Sequence, residues 1–221
     1  MYQLRKGGLV IGRYRVRRLM RLAGISVRKR RRYKVTTRSN HRYPVSPNLV
    51  QGHFEAAAPN MVWVSDITYI KTAEGWLYLA VVMDLYSRKV VGWSLAATMA
   101  VEMVMEALMM AIGRRSPSPG LIHHSDRGSQ YACDRYRRLL EAYGMISSMS
   151  RSGNCLDNAV AERFFRTLKT ECLANWRDMP RDDVRRDIVD YIEMFYNSER
   201  LHSYTGYLCP NDYERQSIVL L

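Results

Sequence analysis

The first 54 residues of this 221-residue chain hold 15 of its 34 Lys and Arg and none of its 21 Asp and Glu. Positive charge at that density repels itself, with no acid inside the segment to offset it. A packed domain is therefore expected after residue 54, and the basic segment is expected to meet an external polyanion. The formal net charge of +13 is accounted for by this one segment. Nucleic acid suits it better than a membrane, because phosphate neutralisation rewards clustered Lys and Arg. The longest apolar runs, "YLAVVM" and "VEMVMEALMMAI", are too short or too interrupted by glutamate to span a bilayer.

Within the basic segment, "LVIGRYRVRRLMRLAGI" places Leu9, Val16, Leu19, Met20 and Leu22 near helical spacing, and Gly24 supplies a stop signal. A basic helix is predicted there. The run "RKRRRYK" follows, offering Arg28, Lys29, Arg30, Arg31 and Arg32 as phosphate contacts. Residues 36–60, with Pro44, Pro47 and Pro59, read as an extended linker. The four cysteines, Cys133, Cys155, Cys172 and Cys209, are widely spaced with no CxxC pair. Reduced thiols in a cytoplasmic protein are expected, rather than a disulfide framework or a zinc cluster.

Beyond the linker, "MVWVSDITYI" (61–70), "GWLYLAVVMD" (75–84) and "KVVGWSLA" (89–96) are rich in β-branched and aromatic residues and read as strands. Residues 98–115 read as a helix whose methionines fill core space. Then come a strand at 120–126, a helix at 130–144, a short strand at 145–150 and a helix at 158–173. A last long helix is predicted after Pro180. Neighbouring strands followed by alternating helices and strands give a mixed α/β domain with helices over a central sheet.

Three acids stand at places where this scheme allows convergence. Asp66 interrupts the first strand, Asp126 ends the fourth, and Glu162 lies one turn into a helix, with 35 residues between the last two. Three carboxylates brought together repel unless a divalent cation neutralises them, and hard oxygen donors suit Mg²⁺ or Mn²⁺. Each acid also has a plainer reading. Asp126 is an ordinary turn residue, and Glu162 could pair with Arg166 four residues on. Asp66, inside an apolar strand, needs a partner if buried. Asp84 and Asp157 read as a turn residue and a helix N-cap. One of His123 and His124 alternates inward and is expected to be packed and hydrogen-bonded. Asn158, Glu162, Arg166 and Lys169 share one helix face, with Ala161, Phe164 and Leu168 on the core face.

The blocks "WVSDITYI", "HSDRGSQY" and "SGNCLDNAVAERFFRTLKTE", with "FYNSERLHSYTGYLCPNDY" after them, resemble those of bacterial insertion-sequence transposases related to retroviral integrases. That resemblance implies a ribonuclease H-like core: a mixed five-stranded sheet flanked by helices, a basic helical arm at 1–54, a core at 55–175 and a C-terminal helical extension at 176–221. It implies that Asp66, Asp126 and Glu162 bind two Mg²⁺ ions, with Mn²⁺ able to substitute, and catalyse cleavage and strand transfer on double-stranded DNA. It further implies that Lys169, Arg166 and Asn158 touch DNA, and that the protein acts as a homo-oligomer in the bacterial cytoplasm. The short stretch before "IGRYRVRRLM" resembles a downstream-frame product, with a helix-turn-helix partner encoded upstream. Two other readings share these residues: a DNA-binding remnant and a nuclease that hydrolyses without joining.

Overall fold

The computed structural model describes residues 2–26, 43–151, 158–172 and 176–219. The expected phosphate contacts Arg28, Lys29, Arg30, Arg31 and Arg32 lie outside these residues, as do Asp157 and Cys155. The chain divides into two compact units, Met1–Tyr33 and Lys34–Leu221.

In the first unit α1 spans Tyr2–Lys6 and α2 spans Arg13–Leu22. The predicted basic helix is therefore α2. It starts at Arg13 because Gly12 is extended (φ −95°, ψ 163°), and it is followed by Gly24 at φ +67°. No residue of either helix is buried. That matches a segment with no acid to pair its cations.

The second unit is built on five strands: β1 Val62–Thr72, β2 Gly75–Asp84, β3 Val90–Ala96, β4 Ile122–Ser125 and β5 Ile146–Met149. Their spatial order is β3-β2-β1-β4-β5. The first three form an antiparallel meander, and β1, β4 and β5 run parallel. Parallel strands need crossover connections, which α3 (Val101–Arg115), α4 (Ser129–Ala132) and α5 (Asp134–Ala142) provide. Both faces of the sheet are covered, so β1 and β2 are buried along most of their length, and β2 reads as a nearly continuous apolar run.

Alternation along β1 divides the core in two. Trp63 and Ile67 pack with Met103, Val104, Leu108, Tyr136 and Leu140 of α3 and α5. Val64 and Ile70 pack on the other side with α6 (Ala159–Glu171) and α7 (Arg181–Asp190). Trp176, Val184, Ile188 and Ile192, all from the expected C-terminal extension, belong to this second core. Residues past 175 thus share with α6 the covering of one face of the sheet.

Four local expectations differ from the structure. The helix at 130–144 is broken at Cys133, which is extended (φ −66°, ψ 150°) between α4 and α5. The last long helix continues from α7 as a π-helical turn, Tyr191–Tyr196, which ends at Asn197. There the Asn197 side chain donates to Val90 O at 2.9 Å and accepts from Val90 N at 3.0 Å, pairing part of the open edge of β3. A further helix, α8 (Pro210–Val219), follows, with Pro210 at its first position. Finally, residues 43–60 are not simply a linker. Leu49 N donates to Ser148 Oγ at 2.9 Å, Met149 N to Pro47 O at 3.3 Å, and Val50 is buried in the α6-side core.

The methionines of α3 divide: Met103 is core, while Met109 is exposed. Among the described residues no helix is long and apolar enough to cross a membrane.

A charged network docks α8. Glu214 accepts from Arg115 Nη1 at 2.8 Å, Arg115 Nη2 at 3.0 Å and Ser87 Oγ at 2.7 Å. Burial pushes its carboxyl up, but Arg115, Ser87 and Lys89 outweigh burial and hold it below the usual carboxylate range. Asp84 is the turn residue expected of it, accepting from Asn60 N at 2.8 Å and Tyr86 N at 2.9 Å. Removing one member of such a network strands the others. Glu214→Ala is therefore expected to cost about 3 kcal/mol in denaturant unfolding and to release the α8 amides to rapid hydrogen exchange. At Gly92 an added Cβ would lie 2.1 Å from Ala107 O and 2.8 Å from the Ala111 Cβ. Gly92→Ala must push α3 off β3, and a loss of about 3 kcal/mol is expected from urea midpoints.

Candidate active site

The site is set by register. β1 and β4 pair in parallel with Val64 opposite His124 and Ser65 opposite Ser125. The next residue on each chain is an aspartate, so Asp66 and Asp126 leave neighbouring strands, about 4.8 Å apart, in the same phase of the pleat. Asp66 shares its face with Val64 and Ile70, hence with α6. It is 6% exposed, and its Oδ1 accepts from Ile67 N at 2.8 Å. Asp126 lies just past the end of β4, where its Oδ1 accepts from Gly128 N at 2.9 Å. That contact is a two-residue side-chain turn of the ordinary kind.

Helix α6 is fixed over β1 at both ends. Asn158 Nδ2 donates to Ser65 O at 3.3 Å, and Lys169 Nζ donates to Thr68 Oγ1 at 2.5 Å. Glu162 is four residues after the first anchor and seven before the second, so all three fall on one helical stripe. The stripe brings Glu162 over Asp66, which lies between Ser65 and Thr68. Electrostatics agree with this placement. Burial, then Asp126, then Glu162 raise the Asp66 carboxyl well above the ordinary range, against the Ile67 amide and Lys169. Half-buried Glu162 is also raised, by burial first and then by Asp126.

The donor set is three hard carboxylates with more negative charge than Lys169 offsets, which suits a divalent cation bound through oxygen. The carboxylates interact through space without closing into a ligand shell. Among the described residues no three His, Cys, Asp or Glu side chains are gathered closely enough to hold a metal. Charge coupling extends over several ångströms and direct coordination over about 2 Å, so the two observations are compatible.

Neighbouring groups sort into supports and surface. His123 and His124 are both buried: His123 Nε2 lies 2.8 Å from Ser65 Oγ and 3.0 Å from Tyr136 Oη, and His124 Nδ1 lies 2.8 Å from Ser148 Oγ. Burial, then His124, lowers His123 to about 3, so it is neutral and structural at neutral pH. Arg166 is exposed on the solvent side of the Glu162 stripe. Lys169 leans over the Tyr69 ring at 5.1 Å.

Asn158, expected to touch DNA, is 4% exposed, and its side chain ties α6 to the backbone next to Asp66. Sequence reasoning passed over Tyr131, the last residue of "HSDRGSQY". Its buried hydroxyl has no hydrogen-bond partner among the described residues, and the charges of Asp66 and Asp126 act on it after burial and Tyr136. A tyrosine five residues past an acid at a strand end was the available signal.

Comparison with known proteins agrees with this geometry. Residues 56–155 and 162–218 match family descriptions of the integrase core domain. The chain is 43% identical over 213 residues to the transposase for insertion sequence element IS904 of Lactococcus lactis, covering 96% of this chain and 84% of that protein. It is 45% identical to the insertion element IS600 uncharacterized 31 kDa protein of Shigella sonnei, covering 94% of this chain and 76% of that one. With the transposase InsF for insertion sequence IS3fB of Escherichia coli it shares 41% identity over 90% of this chain and 69% of the relative. Among solved structures, the HTLV-2 integrase catalytic core domain in complex with magnesium matches with a TM-score of 0.55 at 17% identity, over 72% of this chain and 99% of that one. A chain of the simian T-cell lymphotropic virus intasome matches with a TM-score of 0.61 at 17% identity, over 80% of this chain and 60% of that one. The structural likenesses give the fold, ribonuclease H-like, and the sequence identities give the family. This chain belongs to the insertion-sequence transposases that carry an integrase core domain.

Proposed function

We propose that this chain catalyses DNA transposition, cutting double-stranded DNA at the ends of a mobile element and joining the freed ends to a target. The observation that carries this reading is the parallel β1–β4 register, which sets Asp66 beside Asp126 beneath Glu162. The three carboxylates would hold two Mg²⁺ ions, or Mn²⁺ in their place, which when bound supply an activated nucleophile and neutralise charge on the leaving oxygen. Asp66, rigid in mid-strand, fixes the position of the site, and Asp126 and Glu162 close over it from a strand end and a helix. Asn158 and Lys169 hold α6 at the height that keeps Glu162 opposite Asp66. In the first step water attacks phosphorus and the P–O3′ bond breaks, leaving a 3′-hydroxyl and a 5′-phosphate. In the second, that 3′-oxygen attacks a target phosphodiester, so one P–O bond forms as one breaks. No covalent bond to the protein is required, since positioning and charge carry the chemistry.

Arg166, beside Glu162 and exposed, is placed to meet phosphates near the reacting end. The basic arm over 1–54, including Arg28–Arg32, adds contacts without base specificity, which makes binding salt-sensitive. Two element ends must be brought together, which favours a homo-oligomer on DNA. An upstream-frame helix-turn-helix product would supply end recognition. The compartment is the bacterial cytoplasm, at the nucleoid.

Short duplexes carrying candidate element ends, incubated with protein and Mg²⁺ or Mn²⁺ and resolved on a denaturing gel, test the reading. Wild type is expected to yield joined products, and Glu162→Gln is expected to bind the duplex without cutting or joining it. Full cutting by Glu162→Gln would sink the triad assignment. A second prediction follows from the raised Asp66 carboxyl. The folded state binds this proton more tightly than the unfolded chain, so stability is greatest below the unfolded pKa and is lost as pH rises toward the folded one. In metal-free buffer Asp66→Asn should therefore be more stable than wild type. The gap is expected to widen from the ordinary carboxylate range toward pH 7 and to reach about 2–4 °C in Tm for each kcal/mol gained. Equal pH profiles for the two proteins would remove the claim that Asp66 is an uncompensated buried acid.

A further inference from the structure

Arg88 lies in the turn between β2 and β3, outside the acid site, and its surroundings are unusual for an arginine. The residue is 9% exposed, yet among the described residues no carboxylate pairs with it. Its Nη2 donates to Phe54 O at 2.8 Å, while Nη1 is buried with no hydrogen-bond partner. Its backbone is left-handed, at φ +65°, and is held there by Arg88 N donating to Asp84 O at 2.9 Å. A non-glycine residue in that region is strained, and a buried cation with a stranded donor is costly. Both costs fall on the same residue.

Burial lowers the Arg88 guanidinium first, and Tyr204, Tyr196 and Asp84 offset that only in part. Exposed Arg163 on α6 acts on Arg88 as a second cation. His202 also carries a buried, unpartnered Nε2; burial first, then Arg200 and Arg88 against Glu171, lower it to about 4, so it is neutral at pH 7. Arg200 is already paired with Glu171. The ring of Tyr204, 41% exposed, covers the guanidinium with its centroid 3.8 Å from Cζ. Strain, burial, a free donor and an adjoining cation therefore converge under one exposed aromatic lid.

We propose that Arg88, with Arg163 beside it and Tyr204 over it, forms a second anion site that takes a phosphate oxyanion, supplied by the DNA backbone in the working complex. The Tyr204 ring, exposed and held by one stacking contact, moves aside to uncover Nη1, and the guanidinium fork then meets two phosphate oxygens. This site is built by the β2–β3 turn, the 200–207 loop and the outer face of α6. It would hold DNA away from the reacting phosphodiester, along the helix that carries Glu162. The inference rests on the reading that this protein acts on DNA.

Two measurements on the full chain test it, both without divalent cation so that nothing is cut. The first follows anisotropy of a labelled duplex across a salt series. Arg88→Gln is expected to weaken binding about fivefold near 150 mM salt and to reduce the slope of log K against log salt by about one. Arg88→Lys should keep the slope. Arg163→Gln, a surface change that leaves the fold intact, should also reduce the slope by about one. The second measures Tm in inorganic phosphate against chloride at equal ionic strength. Wild type should gain stability in phosphate and Arg88→Gln should not. Loss of the phosphate effect in Arg88→Gln with no change in DNA slope would keep the anion site and overturn its assignment to DNA. Unchanged slopes in both glutamine variants, with an unchanged phosphate effect, would overturn the site itself. If wild type binds no DNA, the functional reading fails, and the phosphate measurement still decides whether the anion site exists.

Discussion

The parallel pairing of β1 with β4 is the constraint on which the rest of the second unit depends. Parallel neighbours cannot be joined by a tight turn, so the chain must leave β3, cross over through α3 and re-enter beside β1. That crossover buries the central strands on both faces, which is why β1 is buried nearly throughout. It also fixes Ser65 opposite Ser125, and so the adjacency of the two aspartates that follow. A slip of one residue in this register would put Asp126 out of phase with Asp66 and turn it to the other face. Packing and chemistry are thus specified by the same hydrogen bonds.

Holding two carboxylates and a glutamate there has a cost, and the surrounding structure resists it. Asp66 is desolvated and repelled by its neighbours, so the local fold is stable only because its supports are over-determined. The His123–Ser65–Tyr136 cluster locks β1 to β4 and α5 on one side, and the Asn158 and Lys169 anchors lock α6 on the other. Trp176, Val184 and Ile188 share one core with Ala161, Phe164 and Leu168 of α6 and Val64 of β1. Residues past 175 are consequently part of the machinery that holds Glu162 in place rather than an appendage.

Much of this was legible in the sequence, and the remainder was hidden for identifiable reasons. Three strands declared themselves through β-branched and aromatic runs, whereas β4 and β5, with IHHS and ISSM, carry no such run. The acids were legible through their positions in that pattern, and more so through the family resemblance. The break at Cys133 was not, since neither Gly nor Pro marks it and the extended backbone is imposed by packing of Tyr131 and Tyr136. Helix α8 was missed because its docking is tertiary: Glu214 is an unremarkable glutamate until Arg115 and Ser87 meet it from 99 and 127 residues away in sequence. The bond from Asn158 to Ser65 O was not legible, because periodicity gives a shared stripe without saying where along that stripe the sheet lies. The left-handed backbone of Arg88 could not be read at all, since nothing in an arginine announces positive φ.

The charged groups of this unit fall into two kinds, and the difference separates structure from function. Arg115 and Glu214 satisfy one another and their neighbours, so every donor has a destination and the network needs no outside partner. Asp66 and Arg88 are the reverse: both are buried, and the surrounding groups offset that burial only in part. A fold bears such costs where a ligand of opposite charge completes the site. The two sites are complementary in sign, an excess of carboxylate at one and an excess of guanidinium at the other. DNA with its divalent counter-ions is a single ligand able to satisfy both. On that view the uncompensated charges describe the substrate as closely as any pocket shape would, with phosphate oxygens bridged by cations at the acids and phosphate oxygens bare at the arginine.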